Sequence, residues 1–200
     1  MSSASVRTQR QLSALDWVQA ATEAIVEAGI GAVAVEPLAA RLGATKGSFY
    51  HHFANRDALI AATLEEWERS ETDAVIARLE LIPRPEERLR AVMAAALGDQ
   101  AGGLRDAALL GAATHALVKP VVDRVTRRRL DYISQAYSQL GFSRPEARRR
   151  ALLFYTSYLG LFDYLRAGLD GPFSDAEMRD YTEQVLDALV PATEAGRPRR

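Results

Sequence analysis

The sequence contains no cysteine and only three histidines in 200 residues. Without cysteine the chain has no disulfide, no thiolate metal site and no cysteine nucleophile. The histidines are then the only soft metal ligands available, and nothing in the sequence groups them with further ligands. We therefore expect no metal site and no cofactor.

Long apolar runs are also missing. No uninterrupted apolar stretch reaches the length of a membrane span, and the polar opening, residues 1–11, lacks the apolar core of a signal peptide. A nucleotide-binding glycine loop and a nucleophile paired with a base are likewise absent. The sequence therefore predicts a cytoplasmic protein without membrane contact and without enzymatic activity.

Charge of one sign is scarce as well, because the formal net charge is −1. The overall balance gives no reason to expect a nucleic-acid partner. Residues 1–56 carry five basic and four acidic side chains, a net charge of +1. This small local excess permits a DNA contact near the N-terminus but does not establish one.

Helical periodicity is the dominant pattern. Apolar residues recur at three- and four-residue spacings, and no segment alternates as a strand would. Capping patterns begin at Ser13, Asn55, Ser143 and Ser174, and glycines end several apolar stretches. The sequence therefore predicts an all-α fold of about nine helices, near 13–28, 36–42, 46–52, 56–80, 85–97, 104–116, 120–140, 144–167 and 175–189.

The second and third predicted helices are the shortest, and every later one is longer. This difference indicates an N-terminal domain over residues 1–56 and a larger helical bundle over residues 57–200. Residues 1–11 and 192–200 are polar or contain proline and glycine, and we expect both ends to be disordered.

Residues 35–53 read VEPLAARLGATKGSFYHHF, which is a short helix, a turn with glycine and a second short helix. This is the layout of a helix-turn-helix. Leucines of the first helix and Phe49 and Phe53 of the second would face inward, which leaves an outer face of Lys46, Ser48, Tyr50 and His51 for the major groove. The pattern alone also fits a helical hairpin whose polar residues are simply solvated.

Phosphate contacts are predicted at the start of the second motif helix. Thr45 as N-cap would leave the amides of Gly47 and Ser48 near a helix N-terminus, which favours an anion. Lys46 adds a positive charge there, and Arg56 would hold a second phosphate.

The run Lys-Gly-Ser-Phe-Tyr-His-His-Phe at 46–53, followed by Asn-Arg-Asp-Ala-Leu at 55–59, closely resembles the signature of the TetR/AcrR family of bacterial repressors. The resemblance keeps register over residues 13 to about 64. It implies a three-helix DNA-binding domain whose DNA contacts fall on Lys46, Gly47, Ser48, Tyr50, His51, His52 and Arg56. Family members often carry threonine or serine before the first motif helix, whereas this chain has Ala34 and Val35, so that phosphate contact is missing.

The same resemblance implies a ligand-binding bundle and dimerisation through the last two long helices. We expect a homodimer formed by the helices near 144–167 and 175–189, a palindromic double-stranded DNA operator, and a small-molecule inducer that releases it. A helical protein-protein adaptor, or a ligand-binding protein without enzymatic activity, is the alternative for the bundle.

Small residues dominate between Ala91 and Leu117, which leaves room for an apolar cavity. The predicted ligand contacts are Met93, Leu97, His115, Tyr155 and Tyr158. A hydrogen-bonded core histidine explains His115 equally well, and helix packing or a dimer interface explains the aromatic stripe more often than a pocket does. The arginine runs at 127–129 and 148–150 have acidic residues nearby and are interpreted as solvated faces or ion pairs.

Overall fold

The computed structural model describes residues 12–169 and 174–191, and these residues form helices and turns without any strand. The helices are α1 (Ala14–Ala28), α2 (Val35–Arg41), α3 (Lys46–His52), α4 (Arg56–Glu68), α5 (Ala74–Leu79), α6 (Pro85–Gly98), α7 (Gln100–Gly111), α8 (Lys119–Gln139), α9 (Arg144–Arg166) and α10 (Asp175–Leu189). A π-helical turn, Arg69–Asp73, joins α4 to α5. Counting Arg56–Leu79 as one segment, the described chain has nine helices longer than a 3₁₀ turn, which confirms the predicted all-α fold.

The first compact unit ends at Thr63. Its core centres on Trp17, whose ring meets Phe49 edge-on with the ring centroids 5.3 Å apart. The side chain of Ser13 and that of Asp16 cap each other's backbone amides, so α1 begins where the capping pattern predicts. Gly43 has φ +61°, a left-handed conformation that turns the chain between α2 and α3.

The second unit, from Leu64 onward, is a bundle whose core lies among α6, α7, α8, α9 and α10. Helices α7 and α9 approach closely at Gly103, where an added Cβ would lie 2.3 Å from the Phe162 ring. Glycine at this position therefore permits the helix packing. Tyr137 on α8 is fully buried, and its hydroxyl donates a 2.8 Å hydrogen bond to the carbonyl of Leu189 at the end of α10.

Helix α7 differs from its predicted bounds of 104–116. It begins four residues earlier because the Asp99 side chain caps it, accepting a hydrogen bond from the Gly102 amide at 2.9 Å. It ends at Gly111, and turns follow up to Val118. His115 consequently lies in a turn and not on a helix.

Two further local features were not anticipated correctly. Ser143 precedes α9 as predicted, but its side chain makes no capping hydrogen bond, so the expected capping box is wrong there. The π-helical turn has no counterpart in the sequence prediction, which treats 56–80 as one regular helix.

Candidate functional site

The helix-turn-helix forms with the predicted bounds of its second helix, Lys46–His52. Thr45 is the N-cap, and its Oγ1 accepts a 3.2 Å hydrogen bond from the Ser48 amide. This bond takes up the Ser48 amide, so Gly47, which is exposed, keeps the more accessible of the two amides expected to meet a phosphate.

The two faces of α3 are separated as their spacing predicts. Phe49 is fully buried and Phe53 nearly so. Lys46, Tyr50 and His51 are exposed, with 58% of the Tyr50 surface open to solvent. Ser48 is half-buried. The helix therefore presents a polar and aromatic outer face opposite its core face.

Lys46 forms an ion pair with Glu36 of α2, which sequence reasoning missed. The hydrogen bond and the attraction between them raise the pKa of Lys46 and lower that of Glu36. Both side chains are well exposed, so water and salt screen the pair. Glu36 therefore pairs with Lys46, the cation that we expect to contact a DNA phosphate.

The side chains of His52 and Arg56 contact backbone carbonyls within the first unit, which indicates structural roles for both. Nε2 of His52 lies 2.9 Å from the carbonyl oxygen of Leu12. The Arg56 guanidinium donates to the carbonyls of Val33 and Ile30, at 2.5 and 2.8 Å. These contacts hold α4 and α3 against the preceding segments. A DNA contact by His52 or Arg56 would therefore need a nitrogen that does not already bond to a backbone carbonyl.

A cavity of about 240 Å³ lies in the second unit. Met93, Tyr155 and Tyr158, three of the five predicted ligand contacts, line it. Leu97 is buried but is not part of the lining. His115 is half-buried outside it, and its Nδ1 accepts a 3.3 Å hydrogen bond from the Leu117 amide. Helices α6, α7, α8 and α9 all contribute to the lining, but the turn that carries His115 does not.

Sequence reasoning missed the wall contributed by residues 71–79, from the π-helical turn and α5. Thr72, Val75, Ile76 and Leu79 belong to this wall. A bundle predicted from helix periodicity does not reveal which helices surround a void, so no sequence signal identified it.

A buried ion pair joins Asp106 of α7 to Arg129 of α8 beside the cavity. Asp106 also accepts hydrogen bonds from Trp67 Nε1 at 2.6 Å and from the Tyr158 hydroxyl at 3.0 Å. Burial lowers the pKa of Arg129, but the attraction of Asp106, Tyr155 and Tyr158 and the hydrogen bond to Asp106 together outweigh it and leave that pKa raised. Burial, reinforced by the Asp106 charge, raises the pKa of Tyr158. Arg129 therefore stays charged, and Tyr158 stays neutral, at physiological pH.

The arginine run at 127–129 contains both solvated and ion-paired side chains, as the sequence predicts, but the pair of Arg129 is buried. Arg127 and Arg128 are exposed, and Arg128 pairs with Asp73. Arg129, one position further around α8, is turned into the bundle and donates to Thr72 Oγ1 at 2.9 Å. A mixed role follows from helical geometry, since adjacent residues on a helix face different directions.

Within residues 12–169 and 174–191, no helix combines the length and the hydropathy that crossing a membrane requires. Over the same described residues, no three metal-binding side chains converge.

Comparison with known proteins finds that this chain is similar to bacterial transcriptional regulators. The profile described as bacterial regulatory proteins, tetR family, matches residues 18–63. The HTH-type transcriptional regulator BetI of Escherichia coli (strain K12) is 27% identical over 183 residues, which cover 87% of this chain and 92% of BetI. A TetR-family regulator from Agrobacterium tumefaciens superposes with a TM-score of 0.73 at 22% identity, covering 89% of this chain and 97% of its own.

AibR, solved in complex with isovaleryl coenzyme A and operator DNA, superposes with a TM-score of 0.67 at 23% identity. The match covers 89% of this chain and 98% of AibR. At these identities the two structural matches establish a shared fold, while the profile and BetI extend the likeness to the sequence.

Proposed function

Because residues 18–63 match the tetR-family profile and most of the chain is similar to BetI, we propose that this protein is a TetR-family transcriptional regulator, a homodimeric repressor that a small molecule releases from a palindromic operator. The observation that carries the proposal is the exposed face of α3, which is set off from the core by Phe49 and Phe53. In this proposal residues 1–56 bind DNA and residues 57–200 bind the ligand and the second subunit. The protein acts in the cytoplasm and has no enzymatic role.

The proposed DNA contacts are those of the helix-turn-helix and its flanks: Thr45, Lys46, Gly47, Ser48, Tyr50, His51, His52 and Arg56. Thr45, Lys46, Gly47, Tyr50 and His51 are exposed. Lys46 and the amide of Gly47 suit a phosphate, whereas Tyr50 and His51 suit base edges and the sugar-phosphate backbone. His52 and Arg56 would act mainly by holding α3 in position, given their bonds to backbone carbonyls.

The AibR complex supports a ligand-responsive mechanism, because that protein of the same fold binds both a small molecule and operator DNA. In this chain the cavity of the second unit is the proposed ligand site. A ligand that binds one conformation of the bundle better than another shifts the population between DNA-binding and released states.

The proposed dimer contact uses the outer face of α9 together with α10. Leu152 and Leu153 are 53% and 57% exposed, and Tyr164 lies further along the same helix with 37% of its surface open. Leu161, by contrast, is buried in its own subunit and Leu159 is half-buried. The apolar surface available for a partner subunit therefore centres on Leu152 and Leu153.

The test is to select bound fragments from sheared genomic DNA and then to measure the affinity for the best fragment at several salt concentrations. Lys46→Ala and Tyr50→Ala should each cost on the order of 1–3 kcal/mol of binding free energy. Lys119→Ala is the matched control, because Lys119 is also an exposed, ion-paired lysine at the start of a helix. A helical adaptor would select no fragment, and equal affinities for all four proteins would contradict the assignment of α3.

A further inference from the structure

The three carboxylates that line the cavity already accept hydrogen bonds from groups of the protein. Each accepts a hydrogen bond from a group of the bundle: Glu71 from Arg105 at 2.7 Å, Asp99 from the Gly102 amide at 2.9 Å, and Asp106 from its three partners. A cationic ligand would therefore have to compete with bonds that already exist.

Arg129, the buried cation of the lining, likewise has hydrogen-bond acceptors within the protein. Arg129 donates to Asp106, to Thr72 Oγ1 and, at 3.1 Å, to the carbonyl of Glu71. The other lining arginine, Arg78, is exposed, so solvent weakens its attraction for an anion. A charged ligand would lose its hydration here without gaining a free counter-ion, which is unfavourable.

A buried tyrosine hydroxyl in the lining nevertheless has no hydrogen-bond partner. Tyr155 is 5% exposed, and its buried hydroxyl has no hydrogen-bond partner. Leaving such a group unpaired is costly, and a ligand oxygen would remove that cost. The hydroxyl of Tyr132 also lines the cavity, but it interacts with Arg88 and its side chain is only half-buried, so Tyr155 is the stronger anchor.

The size of the cavity limits the ligand further. A dry cavity of about 150 Å³ accommodates benzene, with its six carbon atoms. In proportion, a cavity of about 240 Å³ holds roughly ten non-hydrogen atoms. Phe154, Met93 and Val92 contribute apolar lining to this space.

We infer that the cavity takes an uncharged, mainly apolar molecule of about ten non-hydrogen atoms, with one oxygen that hydrogen-bonds to the Tyr155 hydroxyl. This inference rests on the proposed function, since it specifies the ligand of the proposed ligand site. It specifies the net charge of the ligand, its size and the residue that anchors it, none of which the fold alone supplies.

Four probes of similar size separate the chemistries: propiophenone is an uncharged ketone, butylbenzene a hydrocarbon, phenyltrimethylammonium a cation and 3-phenylpropionate an anion. Binding to the full chain is measured by calorimetry, and release of the selected DNA fragment is measured in parallel. We expect propiophenone to bind most tightly, butylbenzene more weakly and the two ions not at all.

Tyr155→Phe should weaken propiophenone binding about threefold to tenfold and leave butylbenzene binding unchanged, because only the ketone uses the hydroxyl. Tyr132→Phe is the matched control from the same cavity, and we expect it to bind the ketone as the unmodified protein does. Thermal unfolding of both variants verifies that each bundle remains folded.

Tighter binding of either ion, a failure of all four probes to bind, or a loss of ketone binding in Tyr132→Phe alone would overturn the inference. An ion that binds more tightly than propiophenone and releases the DNA fragment would overturn the inference but leave the proposed function intact. If the unmodified protein selects no DNA fragment, the proposed function fails, and calorimetry still decides the chemistry of the cavity.

Discussion

The indole of Trp67 donates a 2.6 Å hydrogen bond to the carboxylate of Asp106, although the two residues lie 39 positions apart in the chain. The Arg129 guanidinium stacks over the same indole, with its central carbon 5.4 Å from the ring centroid, and pairs with the same carboxylate. Three helices, α4, α7 and α8, are thus joined through one buried charge. Asp106 is the residue on which this arrangement depends.

Asp106→Asn should therefore destabilise the bundle strongly. The substitution leaves Arg129 buried without a counter-ion, and breaking a buried pair in this way costs about 3–5 kcal/mol. The free energy of unfolding, measured in urea, checks the expectation. Asp163→Asn is the control, because Asp163 pairs with Arg166 on the surface and should change stability little. Equal effects of the two substitutions would show that Asp106 is dispensable.

Glu36→Gln should tighten DNA binding. The substitution removes the partner that occupies Lys46 and deletes a negative charge beside the proposed phosphate contact. We expect a severalfold higher affinity for the selected fragment and a steeper loss of affinity with added salt, because Lys46 is then free to displace a counter-ion from DNA. Fluorescence anisotropy at several salt concentrations measures both quantities.

Glu87→Gln serves as the control for Glu36→Gln, since Glu87 also forms an ion pair on an exposed helix start but lies in the second unit. It should leave the affinity for DNA nearly unchanged. If Glu36→Gln weakens DNA binding instead, Glu36 orients Lys46 toward the DNA and does not compete with it.

The bounds of α3 could be predicted because every signal for them is local. Thr45 supplies the N-cap, and the four-residue spacing of Phe49 and Phe53 fixes the buried face. Arg56 was not predictable in the same way. Its bonds go to carbonyls 23 and 26 residues earlier, and the sequence does not show that a folded turn will bring those carbonyls to it.

The bundle illustrates the same limit over longer distances. Arg129 looks like one of three equivalent arginines until the partner on α7, 23 residues away, is known. His115 looks like a helical residue because Ala112 and Ala113 are good helix formers, yet the helix already ends at Gly111. Local propensity therefore located the helices, whereas the cavity depends on contacts between helices that propensity does not encode.

Leu152→Glu should produce monomers. The side chain is exposed in the single subunit, so a charge there leaves the fold intact but opposes burial against a second subunit. Analytical ultracentrifugation at micromolar concentration measures the change in mass, and the monomer should bind the DNA fragment weakly because one recognition helix supplies half the contacts. Leu81→Glu is the control, because Leu81 is 81% exposed outside α9 and α10. A dimer that persists in Leu152→Glu would contradict the proposed interface.

Tyr137 should make the bundle sensitive to alkaline pH. Burial raises the pKa of Tyr137 to about 12. In the unfolded chain a tyrosine ionises near pH 10, so its contribution to stability is complete below about pH 10 and declines as the pH rises towards 12. The loss arises because the unfolded state releases its proton first, while the folded state keeps the hydroxyl that donates to the Leu189 carbonyl.

Tyr137→Phe separates this contribution from that of the other tyrosines. Near neutral pH the variant should be less stable than the unmodified protein by about 1 kcal/mol, the net value of a typical hydrogen bond. Between about pH 10 and 12 the difference should shrink, because phenylalanine cannot ionise in the unfolded state. Urea unfolding at a series of pH values measures the difference. A difference that stays constant across this range would mean that the folded and unfolded chains release the Tyr137 proton at the same pH, and that burial does not hold the hydroxyl neutral.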